Sequence, residues 1–327
     1  MSSAPAQLMQ CMEVWGGNRL VDAGVEMKGL DAWVHCRPWK DAEGGGDVYY
    51  VSSCATGRIT RLLLADVSGH GSAVSEIAIA LRALMRKYVN FLDQTQLVQS
   101  LNTQFSALSE HGCFATALAL TFFGPTRHLM LCNAGHPPPL LYRSRQRQWD
   151  VLNPGEAGAN FPWGIVDGCD YDQLQLPLDV NDLLLCYTDS LPEARLSNGE
   201  QLGTEGLATI VRTLDPAVPA QLIPSLLAAI ASAGYQTDDD VTVLVVRPST
   251  TPVGGSVWAP AVMLGQLARS AFRSFRSGHW IPRPDLSLAN LGGMIFPRLN
   301  ARWGRPSTRD IAPTPMDDGE EKPSVSR

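Results

Sequence analysis

Four apolar, strand-like runs of this chain carry aspartate at one end. Leu62 to Ala65 runs into Asp66, followed by Val67-Ser68-Gly69-His70-Gly71, and Leu183 to Tyr187 runs through Thr188 into Asp189. Asp47 opens Asp47-Val48-Tyr49-Tyr50-Val51-Ser52 directly after Gly44-Gly45-Gly46, and Asp238-Asp239-Asp240 opens Val241 to Val246. A carboxylate at the end of a buried strand is costly to desolvate unless something positive meets it. No Lys or Arg follows Asp66 before Arg82. Hard oxygen ligands without a His/Cys set suit Mg2+ or Mn2+ rather than zinc. A close pair of such ions activates water and clamps a phosphoryl group for in-line attack. Metal-assisted hydrolysis is the chemistry this pattern points to; the plain alternative is turn and cap aspartates. The chain carries no G-x-S-x-G, Walker A or C-x5-R motif to compete with it.

Strand pairing gives the pattern a geometry. If Thr56-Gly57 is a two-residue hairpin turn, Asp47 lies directly opposite Asp66; a longer loop slips that register. Like charges across a strand pair repel, and a bridging cation would turn the conflict into a site. In an antiparallel sheet the C-terminal end of one strand lies beside the N-terminal end of its neighbour. All four aspartate-bearing ends can therefore meet at one edge.

The elements that must hold these residues follow from periodicity. Helical spacing covers residues 72–89 (Val74, Ile77, Ala78, Leu81, Leu84, Met85, Tyr88), and a second helix covers about Gln94 to Leu108. Asp31 to Arg37 reads as a strand, and Phe114 to Phe123 with Arg127 to Asn133 reads as a hairpin. Asn133-Ala134-Gly135-His136-Pro137-Pro138-Pro139 is a rigid loop feeding a short strand, Leu140 to Arg143. Residues 1–28 are weakly patterned, with one early strand and loops expected, and 153–170, rich in Gly and Pro, are expected to be irregular. Helices are expected near Gly203–Leu214 and Ala220–Ala233. Strands, then helices, then strands, then helices give an α+β layered sandwich.

The bulk properties set limits. The chain has 327 residues, is 45% apolar and 18% charged, and carries a net charge of −6, which argues against generic nucleic-acid binding. The charge is uneven: residues 251–327 hold ten Lys/Arg and six Asp/Glu, leaving 16 basic and 26 acidic residues before them. Seven cysteines occur without a C-x-x-C pair, and Cys36, Cys132 and Cys186 sit in apolar runs as reduced core residues. With no signal-peptide pattern at Met1 to Gln10 and no membrane-length apolar run, a cytoplasmic location is expected. A Ser/Thr/Pro/Gly linker starts at about residue 249. Within residues 258–277, Met263, Leu264, Leu267, Ala268, Ala271, Phe272 and Phe275 recur at helical spacing between Arg269, Arg273 and Arg276. Such a basic amphipathic helix fits a membrane surface or a protein partner, or else a helix packed on the domain. Residues 281–327 have the composition of a disordered tail.

A resemblance adds to this reading. Gly45-Gly46-Asp47-Val48-Tyr49, Asp66-Val67-Ser68-Gly69-His70-Gly71, Asn133-Ala134-Gly135-His136-Pro137, Tyr187-Thr188-Asp189 and Asp239-Asp240-Val241-Thr242 occur in the order and rough spacing of SpoIIE-like phosphatases, bacterial members of the PPM (protein phosphatase 2C) superfamily. The resemblance covers about residues 28–248, leaving 1–27 as a lead-in and 249–327 as linker, basic helix and tail. It implies an αββα sandwich of two mainly antiparallel sheets flanked by helices, and a two-ion Mn2+ or Mg2+ centre. It implies hydrolysis of phosphoserine or phosphothreonine in a protein, such as an anti-anti-sigma (STAS) regulator of a partner-switching circuit. Asp66 resembles the carboxylate that bridges both ions, with the Val67 carbonyl as a further ligand. Asp189 and Asp239 resemble carboxylates on one ion, with Asp240 the alternative to Asp239 and Asp238 a turn residue. Asp47 resembles the acidic residue that positions waters of the second ion. His70 is a candidate general acid, although its place in the turn does not match the histidine of eukaryotic relatives. His136 is expected to brace the Asn133 turn and His35 to be packed on its strand, while His111 and His128 carry no signal. Ser190 stands where the family usually has glycine; its hydroxyl could bond Asp189 or a metal-bound water. That departure keeps open a catalytically inactive relative that binds a phosphoprotein or partner. A nucleotide cyclase, which Gly45-Gly46-Asp47 alone would allow, does not fit the residues that follow.

Overall fold

The computed structural model describes residues 7–9, 14–54, 58–69, 71–89, 93–108, 112–152 and 160–249. His70, His111, the Thr56-Gly57 turn, the basic helix at 258–277 and the tail lie outside the described residues. The strands are β1 (Gln7–Leu8), β2 (Val14–Gly17), β3 (Val21–Glu26), β4 (Leu30–Arg37), β5 (Asp47–Cys54), β6 (Ile59–Val67) and β7 (Ala115–Phe123). They continue with β8 (His128–Ala134), β9 (Leu140–Arg143), β10 (Gln148–Val151), β11 (Leu174–Pro177), β12 (Leu183–Tyr187) and β13 (Val241–Pro248). The helices are α1 (Ser72–Tyr88), α2 (Gln94–Leu108), α3 (Gly203–Arg212) and α4 (Pro219–Ser232).

Two sheets result. One runs β1-β3-β4-β13-β12-β9-β10 and the other β11-β8-β7-β6-β5-β2. Every strand pair is antiparallel except the short β1–β3 contact. Alternation along each strand sorts the side chains into layers. Leu62 and Leu64 of β6 face Leu244, Val246, Val34 and Leu184 of the other sheet. Leu63, Ala65 and Val67 turn the opposite way, onto Ala78, Leu81, Met85, Leu97 and Phe105 of α1 and α2. Leu185, Tyr187, Val243 and Val245 pack likewise under α3 and α4. The order helix, sheet, sheet, helix is the αββα sandwich of an α+β fold. Truncating one of these buried leucines to alanine costs about 2–5 kcal/mol.

The period-3.6 and period-2 signals locate the long elements within a residue or two. Several short strands go unheralded. β2 and β3 lie in the weakly patterned start, and residues 14–26 are an integral part of both sheets, through β2–β5 and β3–β4 pairing. β10 and β11 are four-residue edge strands on β9 and β8, too short for alternation to stand out. Cys36, Cys132 and Cys186 are buried and free. Among the described residues no helix is long and apolar enough to cross a membrane.

Candidate metal centre

The alternation that builds the core also aims the aspartates. Asp66 continues the Leu62–Leu64 row of β6, and Asp47 begins the Tyr49–Val51 row of β5, so both project from the inter-sheet face at one end of the sandwich. In the β5–β6 register Asp47 pairs directly with Asp66. Asp189 follows β12 and Asp239 and Asp240 precede β13, and these two strands are antiparallel neighbours in the opposite sheet. The carboxylates thus do not share one sheet edge; two sheets supply them, from the same end. Thr188 links the halves, because its Oγ1 donates to Asp47 Oδ2 at 2.9 Å and accepts the Thr242 N–H at 3.0 Å.

The electrostatics of this end are unbalanced. Asp47 is 2% exposed. Burial, and then the Asp66 charge, hold its carboxyl well above the usual carboxylate range, against the pull of the Thr242 and Thr188 hydroxyls. Burial pushes Asp66 up to about 7, with Asp189, Asp239, Asp240 and Glu193 adding in that order. Burial and then Glu193 push Asp189 up to about 6. The Arg143–Asp182, Arg145–Asp179, Arg212–Glu205 and Arg247–Asp31 ion pairs lie elsewhere, and none of them involves Asp47, Asp66 or Asp189. Like charges gathered without a cation favour a divalent ion or protons. Glu193, one turn beyond Asp189 and bonded through its N–H to the Asp189 carbonyl at 2.9 Å, was not singled out from the sequence. Its i+4 spacing from Asp189 was the available signal.

The triple aspartate resolves into different surroundings. Both Asp240 oxygens are taken by backbone amides: Trp39 N–H on Oδ1 and Gly46 N–H on Oδ2, each at 2.6 Å, with Asp47 N–H at 3.4 Å. Asp240 therefore anchors the glycine loop. Asp239 is exposed, and one of its oxygens accepts the Asp240 N–H at 2.8 Å. Asp238 is exposed beside them. A Cβ on Gly45 would land on the Asp240 carboxylate, and one on Gly46 would stand 2.8 Å from the Val67 carbonyl oxygen and 3.6 Å from Asp66 Oδ1. The glycines keep open the space beside two of the expected ligand oxygens. Among the described residues no three His, Cys, Asp or Glu side chains converge closely enough to cage an ion unaided. The donor set nevertheless fits Mg2+ or Mn2+, which take oxygen ligands; Mg2+ in particular keeps several waters. The adjoining cavity, of about 930 Å3, is lined by Asp238, Asp239, Asp240, Gly45, Gly46, Glu76 and the rim residues Trp39, Lys40, Arg19 and Ile79.

Of the other singled-out residues, His136 and Ser190 lie at this end, whereas His128 lies at the opposite end of its sheet. His136 is buried; its Nδ1 lies 2.8 Å from Thr116 Oγ1, and its backbone exchanges bonds of 2.7 and 2.8 Å with the Asn133 side chain. Burial holds its imidazole down to about 3, so it is a neutral brace. His35 is half-buried on β4, and His128 is exposed, with Nδ1 2.9 Å from the Thr126 carbonyl oxygen. Ser190 is buried with its hydroxyl 3.4 Å from that of Thr188. The serine side chain thus turns toward Thr188, while its N–H supports the Asp189 carboxylate.

Residues 56–249 match the family model Stage II sporulation protein E (SpoIIE). The chain belongs to the SpoIIE family. Its structure is similar to the RsbU and RsbW domains of Rv1364c from Mycobacterium tuberculosis, at TM-score 0.58 and 23% identity over 78% of this chain and 71% of that one. RsbX in complex with magnesium matches at TM-score 0.54 and 16% identity over 70% of this chain and 100% of that one. The PP2C phosphatase domain of SpoIIE from Bacillus subtilis, with a fragment of its regulatory domain, matches at TM-score 0.54 and 17% identity over 73% and 64%. At these identities the likenesses show the PPM phosphatase fold. Asp47 lies before the matched residues of this SpoIIE-family chain, and its place beside Asp66 rests on strand register.

Proposed function

We propose that this SpoIIE-family chain is a metal-dependent protein serine/threonine phosphatase. The observation that carries the reading is the Asp47–Asp66 pair, directly opposed across two strands with Asp47 buried and Asp66 half-buried, and faced by Asp189 and Asp239 from the other sheet, with no ion-pair partner for Asp47, Asp66 or Asp189 among the described residues. Asp66, the Val67 carbonyl, Asp189 and Asp239 would hold Mn2+ or Mg2+, with Asp47 orienting from the side. The magnesium complex of the structurally similar RsbX supports that choice of ion. When bound, the ions supply an activated water and neutralise phosphoryl charge.

The chain's own residues set the frame for this chemistry. Thr188 fixes the rotamer of Asp47 by donating to one oxygen, which leaves the other for the site. Asp240 spends both oxygens on the backbone and holds Gly46 and Asp47 in place. The open cavity on this end is wide enough to support the reading that a phosphorylated segment of a protein docks there. The substrate proposed is a phosphoserine or phosphothreonine protein of a partner-switching circuit, an anti-anti-sigma (STAS) regulator by class, in the cytoplasm. The likeness to a chain holding RsbU and RsbW domains supports that assignment. The decisive experiment is hydrolysis of p-nitrophenyl phosphate and of a phosphoserine peptide with Mn2+, in the wild type and in Asp66→Asn. Turnover that needs Mn2+ and disappears in the variant is expected; no turnover of either substrate with Mn2+ or Mg2+ sinks the proposal.

A further inference from the structure

Asn18 lies in the short crossing from β2 to β3, where the chain passes from one sheet to the other at the aspartate-bearing end. It is 3% exposed. A buried carboxamide is retained only where its bonds are made. Its Nδ2 donates to the Gly45 carbonyl at 2.9 Å, to the Ser75 carbonyl at 3.2 Å and to Ser75 Oγ at 2.8 Å. Its backbone carbonyl accepts the Gly45 N–H at 2.9 Å. One residue thus grips both polar groups of Gly45 and the first turn of α1.

The neighbouring glycine is shaped to this grip. A Cβ on Gly44 would stand 2.6 Å from Ser75 Oγ and 3.0 Å from Asn18 Nδ2, so a side chain there would displace the Ser75 hydroxyl or the Asn18 carboxamide from this contact. One residue beyond Gly45, Gly46 donates to Asp240 and borders the Val67 carbonyl, and Asp47 comes next. The three consecutive glycines therefore touch three elements: Gly44 meets α1, Gly45 meets Asp240 ahead of β13, and Gly46 meets the end of β6. Asn18 is the side chain that locks this junction from the N-terminal side.

We propose that Asn18 is a positioning residue of the metal centre: by tying Gly45 to the first turn of α1 it fixes Gly46 and Asp47 against Asp240 and Val67, and so sets the affinity of the site for a hard divalent ion. This inference rests on the metal centre of the phosphatase reading. A residue that only stabilised the loop would lower the melting temperature and leave the ion affinity of the folded protein unchanged.

Titration calorimetry with Mn2+ on the full chain separates the two roles, run at a temperature where circular dichroism shows every variant folded. Asn18→Ala, and Asn18→Asp, which keeps the size but loses the donor, are expected to bind Mn2+ about 10–100-fold more weakly, the usual cost of removing a residue that orients ligands. Activity lost at low Mn2+ is expected to return, at least in part, at high Mn2+. Wild-type affinity in a folded Asn18→Ala protein overturns the proposal. Should both variants fail to fold, Ser75→Ala removes only the hydroxyl partner and is expected to weaken Mn2+ binding about fivefold, one hydrogen bond's worth; unchanged affinity there overturns it equally. A wild type that binds Mn2+ without hydrolysing phosphate esters would defeat the phosphatase reading and leave this one standing. A wild type that binds no Mn2+ would defeat both.

Discussion

Asp47 and Asp66 stand as a directly opposed pair at the end of the β5–β6 ladder, two carboxylates where a sheet normally places complementary side chains. Their side chains follow the apolar rows Tyr49–Val51 and Leu62–Leu64, so neither can turn to the helix side without reversing its whole strand. The repulsion is fixed by the same alternation that builds the core. Thr188 offers Asp47 one hydrogen bond across the sheets, which orients the carboxylate but does not neutralise it. The fold thus stores an electrostatic conflict that a divalent ion or a proton relieves.

That conflict gives the metal-free protein an unusual pH dependence. Asp66 is raised from 3.8 to about 7, so between these values the folded state holds a proton that the unfolded state releases. Stability is therefore greatest below the unfolded value and falls as pH rises through about 7, by roughly 1.4 kcal/mol per pH unit for one group. His136 has the opposite sign: its folded value of about 3 lies below 6.5, so its contribution is lost as pH falls from 6.5. Comparing the wild type with Asp66→Asn cancels the histidine. In EDTA, thermal melts from pH 5 to pH 7.5 are expected to show the wild type losing several degrees relative to Asp66→Asn, and excess Mn2+ at pH 7.5 should reverse that loss. Parallel pH profiles of the two proteins would remove the basis for this account.

Asp239 and Asp240 are adjacent in sequence and opposite in consequence. Asp240 accepts from three backbone amides, and hydrogen bonds to a charged group are worth about 1.5–3 kcal/mol each. Asp240→Ala is expected to destabilise the folded protein by at least about 2 kcal/mol in urea titrations, even without metal. Asp239 is exposed, and Asp239→Ala is expected to stay within about 0.5 kcal/mol of wild type while losing Mn2+-dependent turnover. A reversed pattern would exchange the roles of the two residues.

Much of the geometry of this candidate site was legible in the sequence. The apolar runs that end in aspartate are strong signals because a buried strand with a charged end has few physical explanations. The register placing Asp47 opposite Asp66 followed from assuming a two-residue turn. The division of the carboxylates between two sheets was not legible, because strand-end position does not say which sheet a strand joins. Asn18, Ser75 and Glu193 were missed for another reason. Their roles come from contacts between segments distant in sequence, such as Asn18 with Ser75, and a lone polar residue in a weakly patterned stretch carries no periodic signal. The Asp239–Asp240 ambiguity likewise needed the backbone donors of Trp39 and Gly46.

Ser190 departs from the usual glycine, yet its hydroxyl lies by Thr188, in the core behind Asp189. Ser190→Gly and Ser190→Ala are accordingly expected to keep turnover within about threefold of wild type, since a single neutral hydrogen bond is at stake. A large gain in kcat for Ser190→Gly would show instead that the serine restrains the site.

Gly45 allows the sharpest steric test. A methyl group there would occupy the Asp240 carboxylate, and Asp240 cannot retreat without giving up the Trp39 and Gly46 amides. The Gly45 backbone is itself held by Asn18, so the loop cannot move away either. Overpacking of this kind costs about 1–3 kcal/mol. Gly45→Ala is expected to lose that much stability in urea titrations and to bind Mn2+ at least about tenfold more weakly, because Asp47 and the Val67 carbonyl sit on the same loop junction. Gly168→Ala is the control: that glycine has positive φ but nothing within 4 Å of a built Cβ. It should show only the backbone cost, about 1 kcal/mol, with wild-type Mn2+ affinity. If Gly45→Ala matched Gly168→Ala in both measurements, the close approach of the glycine loop to Asp240 would not be what holds the proposed metal site together.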